Sequence, residues 1–230
     1  MPAGTTIHFA AMSRAAVMFD LDGTLADTLT DIARCANAAL QARGHAPHPR
    51  EAYRFFAGQG VHRLFTDALG LEHDTDVTPL VEAFKSRYAE AAYDHTGPYD
   101  GVPELLDALT GRGVTLAVLS NKPDAATRLM VGRLFGRWDF AAVRGQRDGI
   151  PVKPDPTAAR AIAAALGLPP ERWIYVGDTA ADMLTGTRSG FLTVGVTWGF
   201  RDEAELRDHG ADAIIHRPLE LLALLDDTPA

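Results

Sequence analysis

Four short polar clusters interrupt otherwise apolar stretches of the chain, and their residue types suit chemistry on a phosphate. The first is Asp20-Leu21-Asp22-Gly23-Thr24-Leu25-Ala26-Asp27. Carboxylates at i and i+2 on an extended chain project to one side, and Gly23 lets the backbone turn tightly with its amides exposed. The carboxylates suit a hard cation and the amides suit an anion. A helix cap or a calcium-type loop has the same composition, so this turn by itself leaves those readings open.

The second cluster, Ser120-Asn121-Lys122-Pro123, offers the Ser120 hydroxyl and the Asn121 amide to phosphate oxygens; a turn or helix cap is its plain alternative. The third, Pro151-Val152-Lys153-Pro154-Asp155-Pro156, holds Lys153 among prolines that stiffen the backbone. A fixed ammonium there neutralises phosphate charge, unless it is an exposed, solvated lysine. The fourth, Gly177-Asp178-Thr179-Ala180-Ala181-Asp182, puts two more carboxylates at the start of a helical pattern, where capping by Asp178 or Thr179 is the alternative.

The elements that must position these clusters follow from periodicity. Apolar, branched runs of strand length lie at residues 15–19, 114–119, 173–176, 192–196 and 211–215, and helical patterns at 158–166 and 180–189 alternate with the later runs. This predicts an α/β fold, a doubly wound, Rossmann-like parallel sheet, with ligands beyond the carboxyl ends of its strands. Residues 27–96 break the alternation: helical patterns at 28–42, 62–69 and 79–92 are separated by Gly and Pro, and residues 97–103 form a turn-rich return. A small helical cap over residues 27–96 is therefore expected between two parts of the core, 12–26 and 97–230. Residues 1–11 read as a disordered extension. Within the insert, Gly58-Gln59-Gly60 precedes a helix and can present amides to a substrate carboxylate, with Arg63 nearby; a glycine-rich helix boundary is the alternative.

Composition bounds the partners. With 230 residues, 47% of them hydrophobic, the chain can bury a core and an insert. A formal net charge of -8 and the lack of a basic stripe argue against nucleic acid and anionic membrane. No apolar run nears the roughly 20 residues that span a bilayer. Cys35 is the single cysteine, so no internal disulfide forms, and a reducing cytoplasm is the expected compartment. A monomer or homodimer is expected.

Taken together and in order, the four clusters resemble the haloacid dehalogenase superfamily: Asp-x-Asp-Gly-Thr, a Ser or Thr after the second strand, a lysine, and Gly-Asp-x-x-x-Asp are all present. The resemblance spans residues 15–217 and places the helical insert where that family carries its smaller cap. It implies a phosphatase in which Asp20 is the covalent nucleophile and Asp22 the acid and then the base. It further implies Mg²⁺ held by the Asp20 carboxylate, the Asp22 backbone carbonyl and Asp178, with Ser120 and Lys153 on the transferring group. Gly23 and Asn121 join the phosphate site, Thr24 and Asp182 support it, and Asp182 orients Lys153 or a metal-bound water rather than ligating the metal. An acid at Asp22 fits phosphate esters, whose leaving alkoxide needs a proton, and not dehalogenation.

Within the superfamily, Phe19-Asp20-Leu21-Asp22-Gly23-Thr24-Leu25, Ser120-Asn121-Lys122, Gly195-Val196-Thr197-Trp198-Gly199 and the cap stretch from His48 to Val61 resemble the phosphoglycolate phosphatase group. 2-Phosphoglycolate is the substrate this implies. A phosphatase of sugar phosphates, nucleotides or pyrophosphate, a phosphomutase, or a non-catalytic phosphate-binding regulator are the alternatives the same core can carry.

Overall fold

The structure, a computed structural model, describes residues 15–91 and 93–225; the extension expected at residues 1–11 lies outside the described residues. The chain begins with β1 (Ala16–Phe19). Next come β2 (Ala26–Asp27), α1 (Leu29–Gln41), a 3₁₀ turn at Arg50–Ala52, α2 (Tyr53–Phe56), α3 (Val61–Leu69), α4 (Thr78–Ala91) and β3 (Gly97–Pro98). It continues through α5 (Val102–Gly111), β4 (Thr115–Pro123), α6 (Asp124–Phe135), β5 (Phe140–Gln146) and α7 (Thr157–Ala165). The last elements are β6 (Trp173–Gly177), α8 (Ala180–Ser189), β7 (Leu192–Val196), α9 (Glu203–Asp208), β8 (Ala213–Ile215) and a 3₁₀ stretch at Pro218–Leu225.

Why β1 reads as an unbroken apolar run is visible in its surroundings. All four residues are at most 1% exposed, and they divide by parity. Val17 and Phe19 pack into a core on one face of the sheet, Ala16 and Met18 into a core on the other. A strand covered on both sides needs apolar residues at every position. The neighbouring strands follow the same rule: Leu116, Val118, Ile174 and Val176 join the first core, and Ala117, Leu119, Trp173 and Tyr175 the second. Burying a side chain such as Phe19 contributes about 1.5–3 kcal/mol.

The six strands are ordered β5-β4-β1-β6-β7-β8 and are all parallel, as the sequence predicts for a doubly wound sheet. Phe19 lies opposite Val118 on β4 and Val176 on β6. Asp20 and Asp178, which follow β1 and β6, and Ser120, within the last part of β4, therefore lie near one level toward the carboxyl edge, beside the strand from which the chain winds outward in both directions.

The elements not anticipated include β5, the 3₁₀ turn and α2 over residues 50–56, and the short β2 and β3. β5 is an edge strand of partly exposed residues that include Arg144, so it lacks the apolar run that marks the inner strands. The turn-helix pair over residues 50–56 is too short to show a helical period. The two linkers of the insert are joined to each other: Ala26 and Asp27 on β2 pair antiparallel with Pro98 and Gly97 on β3.

The buried Asp31 on α1 ties the returning chain to the same place. Its Oδ2 accepts from His95 N at 2.9 Å and from Thr96 Oγ1 at 2.8 Å. Among the described residues no helix is long and apolar enough to cross a membrane.

Candidate active site

Asp20, Lys153, Asp178 and Asp182 meet at the carboxyl edge, each at most 5% exposed. Lys153 Nζ lies 2.7 Å from Asp20 Oδ1 and 2.7 Å from Asp182 Oδ1. Asp182 spends its other oxygen in a capping box at the start of α8, accepting from Thr179 Oγ1 at 2.6 Å and Thr179 N at 3.1 Å. Capping and site chemistry are thus the work of one residue, and the sequence alternatives for this motif coexist.

Lys153 is itself held through its backbone. Its N–H donates to Asn121 Oδ1 at 2.9 Å, while Asn121 Nδ2 donates to Lys153 O and to Gly58 O, each at 3.1 Å. The Asn121 carboxamide, expected on a phosphate oxygen, is spent on positioning the lysine loop and the Gly58 loop.

The Gly23 turn brings the first motif against Asp178. Gly23 has φ +88, and a Cβ built there would stand 2.1 Å from Asp178 Oδ2, so both the backbone conformation and the space require glycine. Thr24 Oγ1 donates to Asp178 Oδ1 at 2.9 Å, and Phe200 N donates to Asp178 Oδ2 at 2.7 Å.

Oxygens of Asp20, Asp178 and Asp182 lie within 4.8 Å of one another. Burial pushes the Asp20 carboxyl up to about 7; Lys153 opposes this, and the charges of Asp182 and Asp22 add to it. Burial, then Asp182 and Asp20, hold Asp178 well above the usual carboxylate range. One ammonium among three buried carboxylates leaves an excess of negative charge, and a divalent oxygen-seeking cation fits that donor set.

Asp22 lines a cavity and is engaged by a different lysine. Lys122 Nζ stands 3.0 Å from each of its carboxylate oxygens and 3.0 Å from Tyr88 Oη on α4. Burial disfavours the Lys122 charge, yet Asp22 and Tyr88 beside it hold its pKa above the ordinary lysine value. Neither Lys122 nor Tyr88 was singled out from sequence. Lys122 stood inside a quoted motif, but nothing in the helical pattern around Tyr88 marks it as facing the site.

The cavity, about 360 Å³, lies between α3 and α4 on one side and β4 and α6 on the other. It is lined by Asp20, Asp22 and Ser120 at its base. Gly58 and Gly60 line it as well. Gln59 and Arg63 are not among its lining residues, and Arg63 Nε instead donates to Asp67 Oδ1 and Oδ2 at 2.8 and 3.0 Å, one helical turn on. Residues 54 and 55 are tied to the stretch after β7 by further bonds: Arg54 donates to the Gly199 and Phe200 carbonyls, and Arg201 donates to the Phe55 carbonyl.

Comparison with known proteins gives the family. A family model described as haloacid dehalogenase-like hydrolase matches residues 17–196. The chain belongs to this family. It is 34% identical to the N-acetylmuramic acid 6-phosphate phosphatase of Pseudomonas aeruginosa, covering 92% of this chain and 94% of that protein. It is also 34% identical to the phosphoglycolate phosphatase of Aquifex aeolicus, covering 92% and 96%. Among solved structures, a haloacid dehalogenase-like family hydrolase of Streptococcus pneumoniae is similar with a TM-score of 0.82 at 27% identity, over 91% of this chain and 97% of that one. The chain is accordingly a phosphatase of the haloacid dehalogenase-like family, acting on small phosphorylated substrates.

Proposed function

We propose that the chain hydrolyses a small phosphate monoester through an aspartyl-phosphate on Asp20. The observation that carries this reading is the Asp20–Lys153 pair at 2.7 Å, at the carboxyl end of the central strand and beside two further buried aspartates. Asp20 attacks phosphorus, and Lys153 and Ser120 bind the oxygens of the transferring group. Asp22 gives its proton to the leaving oxygen and then takes one from the water that cleaves the intermediate. The Asp20 carboxylate, the Asp22 carbonyl and Asp178 would hold Mg²⁺, with Asp182 reserved for Lys153. A bound Mg²⁺ supplies charge neutralisation for phosphate oxygens that face carboxylates.

In this reading residues 27–96 form a cap that closes over the substrate about the β2–β3 ribbon, excluding bulk water. The cytoplasm is the proposed compartment, and a monomer or homodimer the proposed state.

Relatives that act on 2-phosphoglycolate support that substrate. A cavity of about 360 Å³ has room for a larger leaving group than glycolate, which favours a sugar phosphate such as N-acetylmuramic acid 6-phosphate as a second reading. Phosphate release from a panel of monoesters with Mg²⁺ tests the proposal. Turnover of several esters with a phosphoryl adduct on Asp20 is expected, and turnover without such an adduct would remove the covalent route.

A further inference from the structure

Beyond the phosphate end, the cavity wall is mostly carbon, contributed by Ile32, Val61, Leu64, Phe84, Leu129 and Met130. Two cations line it outside the phosphate machinery. Lys85 at the mouth is half-exposed and paired with Glu82 at 2.9 Å. Lys122 is different, with a side chain only 8% exposed.

An ammonium has three donors, and here two go to the oxygens of Asp22 and one to Tyr88 Oη. Both oxygens of the Asp22 carboxyl are engaged by Lys122 here, so proton transfer to a leaving oxygen draws one of them away from the lysine. When one oxygen turns to the ester, a buried charged donor on Lys122 is left without a partner in an apolar cavity, which is unfavourable. A leaving group that carries an acceptor beside its ester oxygen refills that position, since the acid role proposed for Asp22 brings the ester oxygen to the carboxyl that Lys122 already contacts. A carboxylate does so with its charge as well as its lone pairs. A second phosphate does so poorly, because its three oxygens call for several donors, and this end of the wall offers Lys122, Tyr88 and Tyr93.

We infer that Lys122 is the specificity-determining residue for the leaving group, and that the preferred substrates are phosphate esters of hydroxy acids, whose carboxylate takes the place of one Asp22 oxygen on Lys122. This rests on the phosphatase reading above and narrows its substrate class, and it applies alike to a two-carbon hydroxy acid and to a sugar carrying a lactyl ether.

The test uses matched pairs of esters that differ in the carboxylate alone: 2-phosphoglycolate against ethyl phosphate, and an N-acetylhexosamine 6-phosphate with a lactyl ether against the same sugar without it. p-Nitrophenyl phosphate serves as a reference. The wild-type enzyme with Mg²⁺ is expected to prefer the acid in at least one pair by about tenfold to a hundredfold in kcat/KM, the range of one charged hydrogen bond.

Lys122→Met also disturbs Asp22, but that effect is common to both members of a pair and cancels in their ratio. The ratio should fall toward one, mainly through a raised KM for the acid, and Lys122→Arg should restore part of it. Equal losses for both members would leave Lys122 as a support for Asp22 alone and overturn the inference. So would a wild-type enzyme that turns over p-nitrophenyl phosphate without preferring either acid, a result that needs no variant to fold. Turnover of a matched bisphosphate above the acids would overturn the choice of carboxylate. No phosphate release from any ester, the reference included, would instead overturn the phosphatase reading itself.

Discussion

Lys153 Nζ bridges Asp20 and Asp182, 2.7 Å from an oxygen of each. The lysine thereby fixes the attacking carboxylate while its own position is fixed from behind by Asp182 and, through the backbone, by Asn121. Asp20→Asn removes the attacking oxygen and leaves the Lys153–Asp182 pair in place. Its kcat is expected to fall by about 10⁴ or more on every ester, with no phosphoryl adduct in rapid-quench mass spectrometry. Adduct formation on that variant would remove Asp20 from its assigned role.

Metal removal should have a pH-dependent signature. The folded-state pKa of Asp20 is raised to about 7 from 3.8, so in the metal-free protein this group lowers stability progressively as pH rises between those values, and fully above pH 7. A cation takes over the role of the proton. Added Mg²⁺ is therefore expected to raise Tm more at pH 8 than at pH 5.5, and metal-free Asp20→Asn to exceed metal-free wild type in Tm by a wider margin at pH 8 than at pH 5.5. Exhaustive chelation should reduce phosphate release by about a hundredfold or more. Thermal scans at the two pH values and an assay with excess chelator check both statements.

Why some of this was legible in sequence and some was not has a physical basis. β1, β4 and β6 are covered on both faces, so their apolar runs are unbroken and their ends, with Asp20, Ser120 and Asp178, can be located by inspection. β5 carries no such mark because it lies at the sheet edge. The Arg63–Asp67 pairing has an i,i+4 spacing that a helix brings together, and that signal was available. The Lys122–Asp22–Tyr88 contact joins residues from three distant segments, and no local pattern encodes it. Asn121 belongs to the quoted Ser-Asn-Lys motif and lies within β4, but its partners are Lys153 and Gly58, which only the folded chain brings to it.

Asp31 offers a test of the linker region. Burial pushes its carboxyl up, but hydrogen bonds from the His95 backbone and ring and from Thr96 outweigh this and hold it below the ordinary 3.8. A depressed folded-state pKa contributes stability that is present above the unfolded value and lost as pH falls through the folded one, so this contribution is complete at neutral pH and disappears only in acid. Asp31→Ala leaves His95 N and Thr96 Oγ1 without their acceptor and should cost about 1–3 kcal/mol at pH 7. Urea unfolding of both proteins at pH 7 and pH 3 is the measurement. The gap should narrow at pH 3, and an unchanged gap would show that the charge of Asp31 contributes nothing.

Asp22 is the residue whose assigned role differs most from that of Asp20, although the two are separated by one residue. Asp20 is enclosed with Lys153 and the other aspartates, whereas Asp22 looks into the cavity toward Lys122. Asp22→Asn keeps the attacking group and the backbone carbonyl, but its side chain can no longer donate a carboxylic proton or accept one from water. The loss should therefore depend on the leaving group. For an alkyl phosphate, whose alkoxide must be protonated as it departs, kcat/KM is expected to drop by about 10²–10⁴, the usual contribution of a general acid. For p-nitrophenyl phosphate, whose phenolate leaves without help, the first step should lose far less. The second step still lacks its base, so phosphoenzyme is expected to accumulate with the activated ester, visible as a burst of nitrophenolate and as an adduct on Asp20. Equal losses for both esters, or a burst in neither, would mean that Asp22 does not transfer the proton and serves only to hold the turn.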